Sequence, residues 1–355
     1  MSWLGRMWTV ASIELQQRVR GLAWYVLLGV FVVVVLLVTV FTTIATWNSD
    51  APGAVLYSVI VYFVLLLGTL VTPALSGNAI NGDRENGTLA TTQVTLVSTA
   101  QLVLGKLLAA WITALGFLVA GLPFLLFALV IGGASVDTAI VSILVLALEL
   151  GVVAAIGVGL SGLIRRPLFS VVATYLVVAL LSVGTLIAFT LGGLVNQQEV
   201  TVENEYVDWE ASSDEIDPQT GYPVELVCMT EEYTYTVPRF DTVWWMLAAN
   251  PYVLLADAVP THFDAYGNPD DLFGSLKYGV RQAQLPPTVG QSWSECDQLS
   301  SDGEYPTAEE VIASTVPSWA IGLLLNVLLA GALLVGAISR THAPARRLAA
   351  GSRIA

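Results

Sequence analysis

The sequence predicts an all-α polytopic membrane protein: six transmembrane helices with cytoplasmic termini, and an acidic extracytoplasmic domain between helices 5 and 6. Three observations predict it. The 355-residue chain has a mean hydropathy of +0.72 and only 12% charged residues, against about 25% in soluble domains. Several apolar runs exceed the roughly 20 residues that cross a bilayer as helix. The formal net charge of −14 is unevenly spread: residues 195–315 carry 22 acidic and three basic residues, a net of −19, while the remainder nets +5.

Residues 1–20 place Trp3, Leu4, Met7, Trp8 and Ala11 at helical spacing, which predicts an amphipathic interfacial helix with tryptophan at headgroup depth. The first apolar run, 22–45, is too long for a signal-peptide core and is expected to be retained as span 1. A turn at 47–53 leads to span 2 over 54–77. A polar island follows over 81–106, too long for a simple turn. Span 3 covers about 104–131, a Gly132-Gly133-Ala134-Ser135 turn leads to span 4 over 138–163, and Arg165-Arg166-Pro167 leads to span 5 over 168–194. Transmembrane helices 1–5 thus occupy 22–194. Span 6 is expected over 316–338, with a basic cytoplasmic tail over 339–355.

Charge sets the orientation. Eleven of the 14 Lys and Arg residues lie outside 195–315, each in or beside a segment that six spans place with the N-terminus, whereas the turns 47–53 and 132–137 contain none. The excess of basic residues on cytoplasmic segments puts both termini, 81–106 and Arg165-Arg166 inside, and 195–315 outside. An acidic outer domain attracts cations or, as in a protein facing high salt, holds water. Its acids are scattered, and neither Asp214-Glu215-Ile216-Asp217 nor Asp270-Asp271 follows a calcium-loop pattern. Strand-like pieces stand at Val224–Val227 and Tyr233–Val237. Cys228 and Cys296 lie in this segment, where a disulfide is permitted, and pairing would close a 68-residue loop. Residues 241–259 are apolar but broken by Asn250-Pro251. They predict a pair of outer-leaflet helices rather than a seventh span, which would carry the arginine-rich tail outside.

No enzyme constellation is present. The two histidines, His262 and His342, fall on opposite sides, there is no HExxH or GxSxG, and Gly105-Lys106 lacks the glycines of a phosphate loop. Neither a metal nor a cofactor is expected, nor a nucleic-acid partner. Glu149, an acid in the middle of span 4, faces either an ion or substrate path or a structural hydrogen bond. Near it Ala155, Gly157, Gly159 and Ser161 permit close helix contact. Lys106, at the head of span 3, is expected to snorkel to the headgroups or to meet a partner.

Within the island, Glu85-Asn86-Gly87-Thr88-Leu89 precedes Gly105-Lys106-Leu107. This pattern resembles the membrane (permease) subunits of ABC-type exporters, the type-2 export permease family, in which Glu-x-Gly-Thr-Leu opens a cytoplasmic coupling segment and Gly-Lys leads into span 3. Leu96 stands at the place of the family's turn proline. Glu14, Arg18 and Arg20 ahead of span 1, and Asn250-Pro251 ahead of span 6, are similar to further features of that family. The resemblance covers about 1–194 and 240–340; the acidic blocks depart from the compact members. It implies a transport subunit without a catalytic centre, working as two permeases with two separate ATPase subunits in the plasma membrane. Asp83, Glu85, Gly87, Thr88, Leu89, Gly105 and Lys106 would form the coupling site, in a surface helix capped by Thr88 or Asp83. Two other classes compete: an ion-coupled secondary transporter using Glu149, and a non-transporting envelope sensor or assembly protein.

Overall fold

The computed structural model describes residues 2–48, 51–87, 97–213, 216, 227–287 and 306–341. Thr88, Leu89, Leu96, Cys296, His342 and the tail arginines Arg346, Arg347 and Arg353 lie outside the described residues, as do Asp214, Glu215, Asp217 and 224–226 of the acidic segment.

Six helices are long and apolar enough to cross a membrane, so the protein is a mostly helical polytopic membrane protein. Helix α1 (Trp3–Arg20) starts where the Ser2 hydroxyl accepts a hydrogen bond from the Gly5 amide and ends at Gly21. It is followed by α2 (Leu22–Ala45), α3 (Pro52–Ser76) and the short α4 (Asn81–Glu85). Helix α5 (Thr99–Ile131) starts five residues before the expected span. The reason is a capping box inside the polar island: the Ser98 hydroxyl accepts from the Gln101 amide while the Gln101 side chain accepts from the Ser98 amide. Helix α6 (Val136–Leu163) is capped by Ser135, and α7 (Pro167–Ala179) starts on a proline at its first turn. A π-helical turn at Leu180–Gly184 carries the chain on into α8 (Thr185–Val195), making one membrane-length run of 167–195.

The chain divides into two compact units. The first comprises residues 1–185, 247–277 and 317–355. It holds the helices already described up to the π turn, together with α10 (Pro251–Ala258) and α13 (Ser318–Thr341), and the second half of the short helix α9 (Trp245–Ala248). Residues 247–277, expected with the acidic segment, therefore cluster with the spans. Helix α6 is central: 56% of its most apolar stretch is buried, against 17% for α2 and 11% for 167–195, whose large apolar side chains point outward as lipid-facing residues do. Gly157 and Gly159, read as small residues of span 4, and Gly162 beside them let neighbours approach. A Cβ on Gly157 would strike Ser76 of α3, and Cβ atoms on Gly159 and Gly162 would crowd Leu333 and Ala337 of α13. At one end of this bundle, Gly53 and Gly133 pack the 51–54 turn against 132–133. At the other end, Ile80, Gly162 and Ala337 meet.

The second unit comprises 186–246 and 278–316. Within a mostly helical chain this unit carries the one ribbon among the described residues: β1 (Gln197–Val207) and β2 (Cys228–Pro238) are antiparallel, paired from Gln197 with Pro238 to Val207 with Cys228. The strand expected at Tyr233–Val237 lies within β2, whereas Val227 is outside either strand. The β-branched and tyrosine residues of both strands favour extended backbone. At the ribbon's base Arg239 holds Asp241 through two hydrogen bonds of 2.8 and 2.7 Å and also donates to Gln198. Phe189 packs on Phe240 with ring centres 4.9 Å apart. Cys228 is disulfide-bonded. Helix α11 (Leu272–Gln282) runs from the first unit into the second, and α12 (Ala308–Ser314) begins with a capping box between Thr307 and Glu310.

Candidate functional site

The motif residues converge on one buried cation. The Lys106 ammonium, on the second turn of α5, lies 2.9 Å from a carboxylate oxygen of Glu14 on α1 and 2.9 Å from one of Asp83 on α4. Glu14 also takes an ion pair from Arg18 at 3.3 Å, and Arg18 donates to the Leu75 carbonyl near the end of α3. Burial alone would raise the Glu14 carboxyl; Lys106, followed by Arg18, more than offsets this and holds it below its ordinary value.

This corrects the expectation that Lys106 snorkels. Only 2% of the residue is exposed, because α1 lies across the start of α5 and supplies a carboxylate where solvent would otherwise be. Gly105 explains how α1 gets so close. A Cβ there would come within 2.8 Å of Val10 Cβ and 2.9 Å of the Met7 carbonyl oxygen, so any larger residue would push α1 away. Gln101, one turn earlier, donates to the Trp3 carbonyl and fastens the other end of α1. The Gly-Lys pair thus performs two tasks, close contact and charge pairing, on adjacent positions.

The polar island is bolted to α6 as well. The Ser161 hydroxyl accepts from the amides of Ile80 and Asn81, the Asn81 side chain donates to the Ile164 carbonyl at 2.6 Å, and Arg84 donates to Asn81. Asp83 lies inside α4, whose N-cap position is Ile80, so Asp83 does not cap the helix; it serves as the Lys106 partner. Beyond this anchored base the chain turns outward. Glu85, Asn86 and Gly87 are exposed, and Gly87 takes φ of 69°, a left-handed conformation that favours glycine. Of the expected coupling residues, the structure joins Asp83 and Lys106 directly, sets Gly105 beneath α1, and leaves Glu85 and Gly87 exposed at the surface. Glu14 and Ser161 were not among the expected coupling residues. The acidic position in α1 and the small-residue run in α6 were the signals for them, but neither names its partner.

Glu149 stands apart from this cluster. It is 1% exposed within α6, and its Oε1 has no hydrogen-bond partner among the described residues. At the opposite end of the bundle, Asn250 supports two elements together. Its side-chain oxygen caps α10 by accepting from Tyr252 and Val253, and its amide donates to the Ser182 carbonyl in the π turn and to the Thr185 hydroxyl. Pro251 then occupies the first helical position, where a missing N–H costs nothing. This gives Asn250-Pro251 a physical function that its sequence alone did not reveal.

Among the described residues no group of three His, Cys, Asp or Glu side chains could hold a metal ion. Comparison of the chain with protein-family models and with curated proteins finds no match.

Proposed function

We propose that the chain is the permease subunit of an ATP-driven ABC-type exporter in the plasma membrane, coupled through residues 81–106 to a separate ATPase subunit and working with a second permease. The observation that carries this reading is the Lys106 clamp: one buried cation ties the exposed Glu85–Gly87 tip, through Asp83 and Glu14, to two other helices. A rigid base beneath an exposed tip suits a lever. A partner that moves the tip displaces α5 through Lys106, α1 through Glu14 and α6 through Ser161 and Ile164, without covalent chemistry on this chain. Nucleotide binding and hydrolysis then belong to the partner. In this reading the clamp and both termini are cytoplasmic, in keeping with Arg18, Arg84, Lys106, Arg165 and Arg340 standing at helix ends or in turns, and 195–315 is extracytoplasmic.

The test is co-purification of an ABC-type ATPase with the chain from its native membranes. Glu85→Arg and Asn86→Trp change exposed positions, so the chain should remain folded and membrane-inserted while ATPase recovery drops at least about tenfold, as for a central interface residue. Unchanged recovery with both variants would remove the coupling assignment. One observation favours a second reading, an ion-coupled transporter: the unpartnered carboxyl oxygen of Glu149. In that case Glu149→Gln would abolish gradient-driven transport in vesicles containing no ATPase.

A further inference from the structure

A surface groove follows the start of α7 at the clamp end of the bundle. It is shallow and open, with a volume of about 400 Å³, and its lining includes Arg165, Arg166, Phe169, Val172, Ala173 and Leu176. The spacing of three and four residues puts Phe169, Val172, Ala173 and Leu176 on one face of α7. The two arginines sit at its mouth, in the turn before the helix, and the Arg166 guanidinium lies over the Phe169 ring, 5.7 Å from its centre. Arg84, from α4, stands near enough to Arg165 for their positive charges to act on each other. Among the described residues none of these three guanidiniums has a carboxylate partner.

We propose that this groove binds an anionic phospholipid, its phosphate held by Arg165 and Arg166 with the charge of Arg84 adding to the local field, and an acyl chain lying along Phe169, Val172, Ala173 and Leu176. Charge and length both favour this occupant. Three guanidiniums crowded without a counter-anion attract phosphate, which arginine takes in a bidentate fork. The apolar floor from Pro167 to Leu176 is ten residues of helix, about 15 Å at 1.5 Å per residue, or roughly half the ~30 Å hydrocarbon core, which is the depth of one leaflet. A free phosphate would use the mouth and leave the floor bare. An acidic peptide has no reason to require an apolar track entering the bilayer. The inference does not depend on the exporter reading, since it uses neither an ATPase nor the Glu85–Gly87 tip.

The experiment reconstitutes the full chain in nanodiscs of phosphatidylcholine with a minor share of phosphatidylglycerol and measures the lipid retained after delipidating detergent washes by native mass spectrometry. Size-exclusion elution of each variant confirms folding, and Arg165 and Arg166 are exposed enough for Arg165→Gln/Arg166→Gln to keep it. Wild type should retain phosphatidylglycerol over phosphatidylcholine, and the double variant should lose roughly fivefold of that preference per guanidinium. Ala173→Trp, which fills the groove without altering charge, should reduce phosphatidylglycerol retention also, and inorganic phosphate should fail to displace the lipid. Equal retention of the two lipids by wild type, an undiminished preference in the double variant, no effect of Ala173→Trp, or full displacement by inorganic phosphate would each overturn the proposal.

Discussion

Lys106 shares its charge between Glu14 and Asp83 in a setting with little water, where pairing decides whether three ionised groups can be tolerated. Lys106→Met keeps most of the side-chain volume and removes the cation, so it should destabilise the bundle by about 3–5 kcal/mol, the usual cost of breaking a buried pair. The triple variant Glu14→Gln/Asp83→Asn/Lys106→Met should recover most of that loss, because no unbalanced charge then remains. Thermal unfolding in detergent micelles checks both. Asp271 supplies a second test at this scale. Burial pushes its carboxyl up to about 6, opposed by the hydrogen bond from the Gly274 amide and reinforced by Asp270. The folded chain therefore binds the proton more tightly than the unfolded one, whose Asp titrates near 3.9. Stability should fall as pH rises from about 4 to about 6 and be level above that, by roughly 2–3 kcal/mol from this group. Asp271→Asn keeps an acceptor for Gly274 and removes the titration, so its advantage over wild type in pH-dependent melting should appear across that window and persist at pH 7. Residue identity made the importance of Gly105-Lys106 legible in the sequence. The partner Glu14 was not legible as such, since it lies 92 positions away and the meeting depends on α1 crossing α5.

Among the elements, long apolar runs were easily read because membrane length and composition impose them, whatever their neighbours. Helix ends were less legible where polar side chains, rather than apolarity, set them: Ser98 and Gln101 start α5 within the polar island, and Ser135 starts α6. Strand β1 escaped notice because its sequence, QQEVTVENEYV, is polar with only sparse apolar alternation, and pairing with β2 rather than burial makes it a strand. The Asn250-Pro251 element gives a prediction here. Asn250 caps α10 and also satisfies the Ser182 carbonyl in the π turn, where the regular helical hydrogen-bond pattern is broken. Asn250→Ala should cost about 1–3 kcal/mol through the lost cap and the buried carbonyl left without its donor. Asn250→Asp, which keeps the cap acceptor and loses the amide donor, should be nearly as unstable; a melting temperature equal to wild type for either variant would refute this role.

For the whole molecule, six helices are long and apolar enough to span a membrane, and the proposed orientation rests on the uneven charge distribution of the sequence rather than on any single motif. The division into two units also has a cause in composition: 247–277 is largely apolar and joins the spans, whereas the polar strands 197–207 and 228–238 have little to bury. What the sequence could not supply is which side chains meet across helices, and with them the route by which movement at 81–87 would reach α1, α5 and α6. The central claim is that the Glu85–Gly87 tip touches an ATPase. It is tested most directly by placing a photo-activated cross-linking amino acid at the exposed Asn86, and as a control at Thr201 in the ribbon, in cells of the native host, whose ATPases are identified among the cross-linked products by mass spectrometry. The account predicts a cross-link to the ATPase from position 86 and none from 201. A folded, membrane-inserted chain that cross-links to no ATPase from position 86, or that does so from 201 instead, would contradict it.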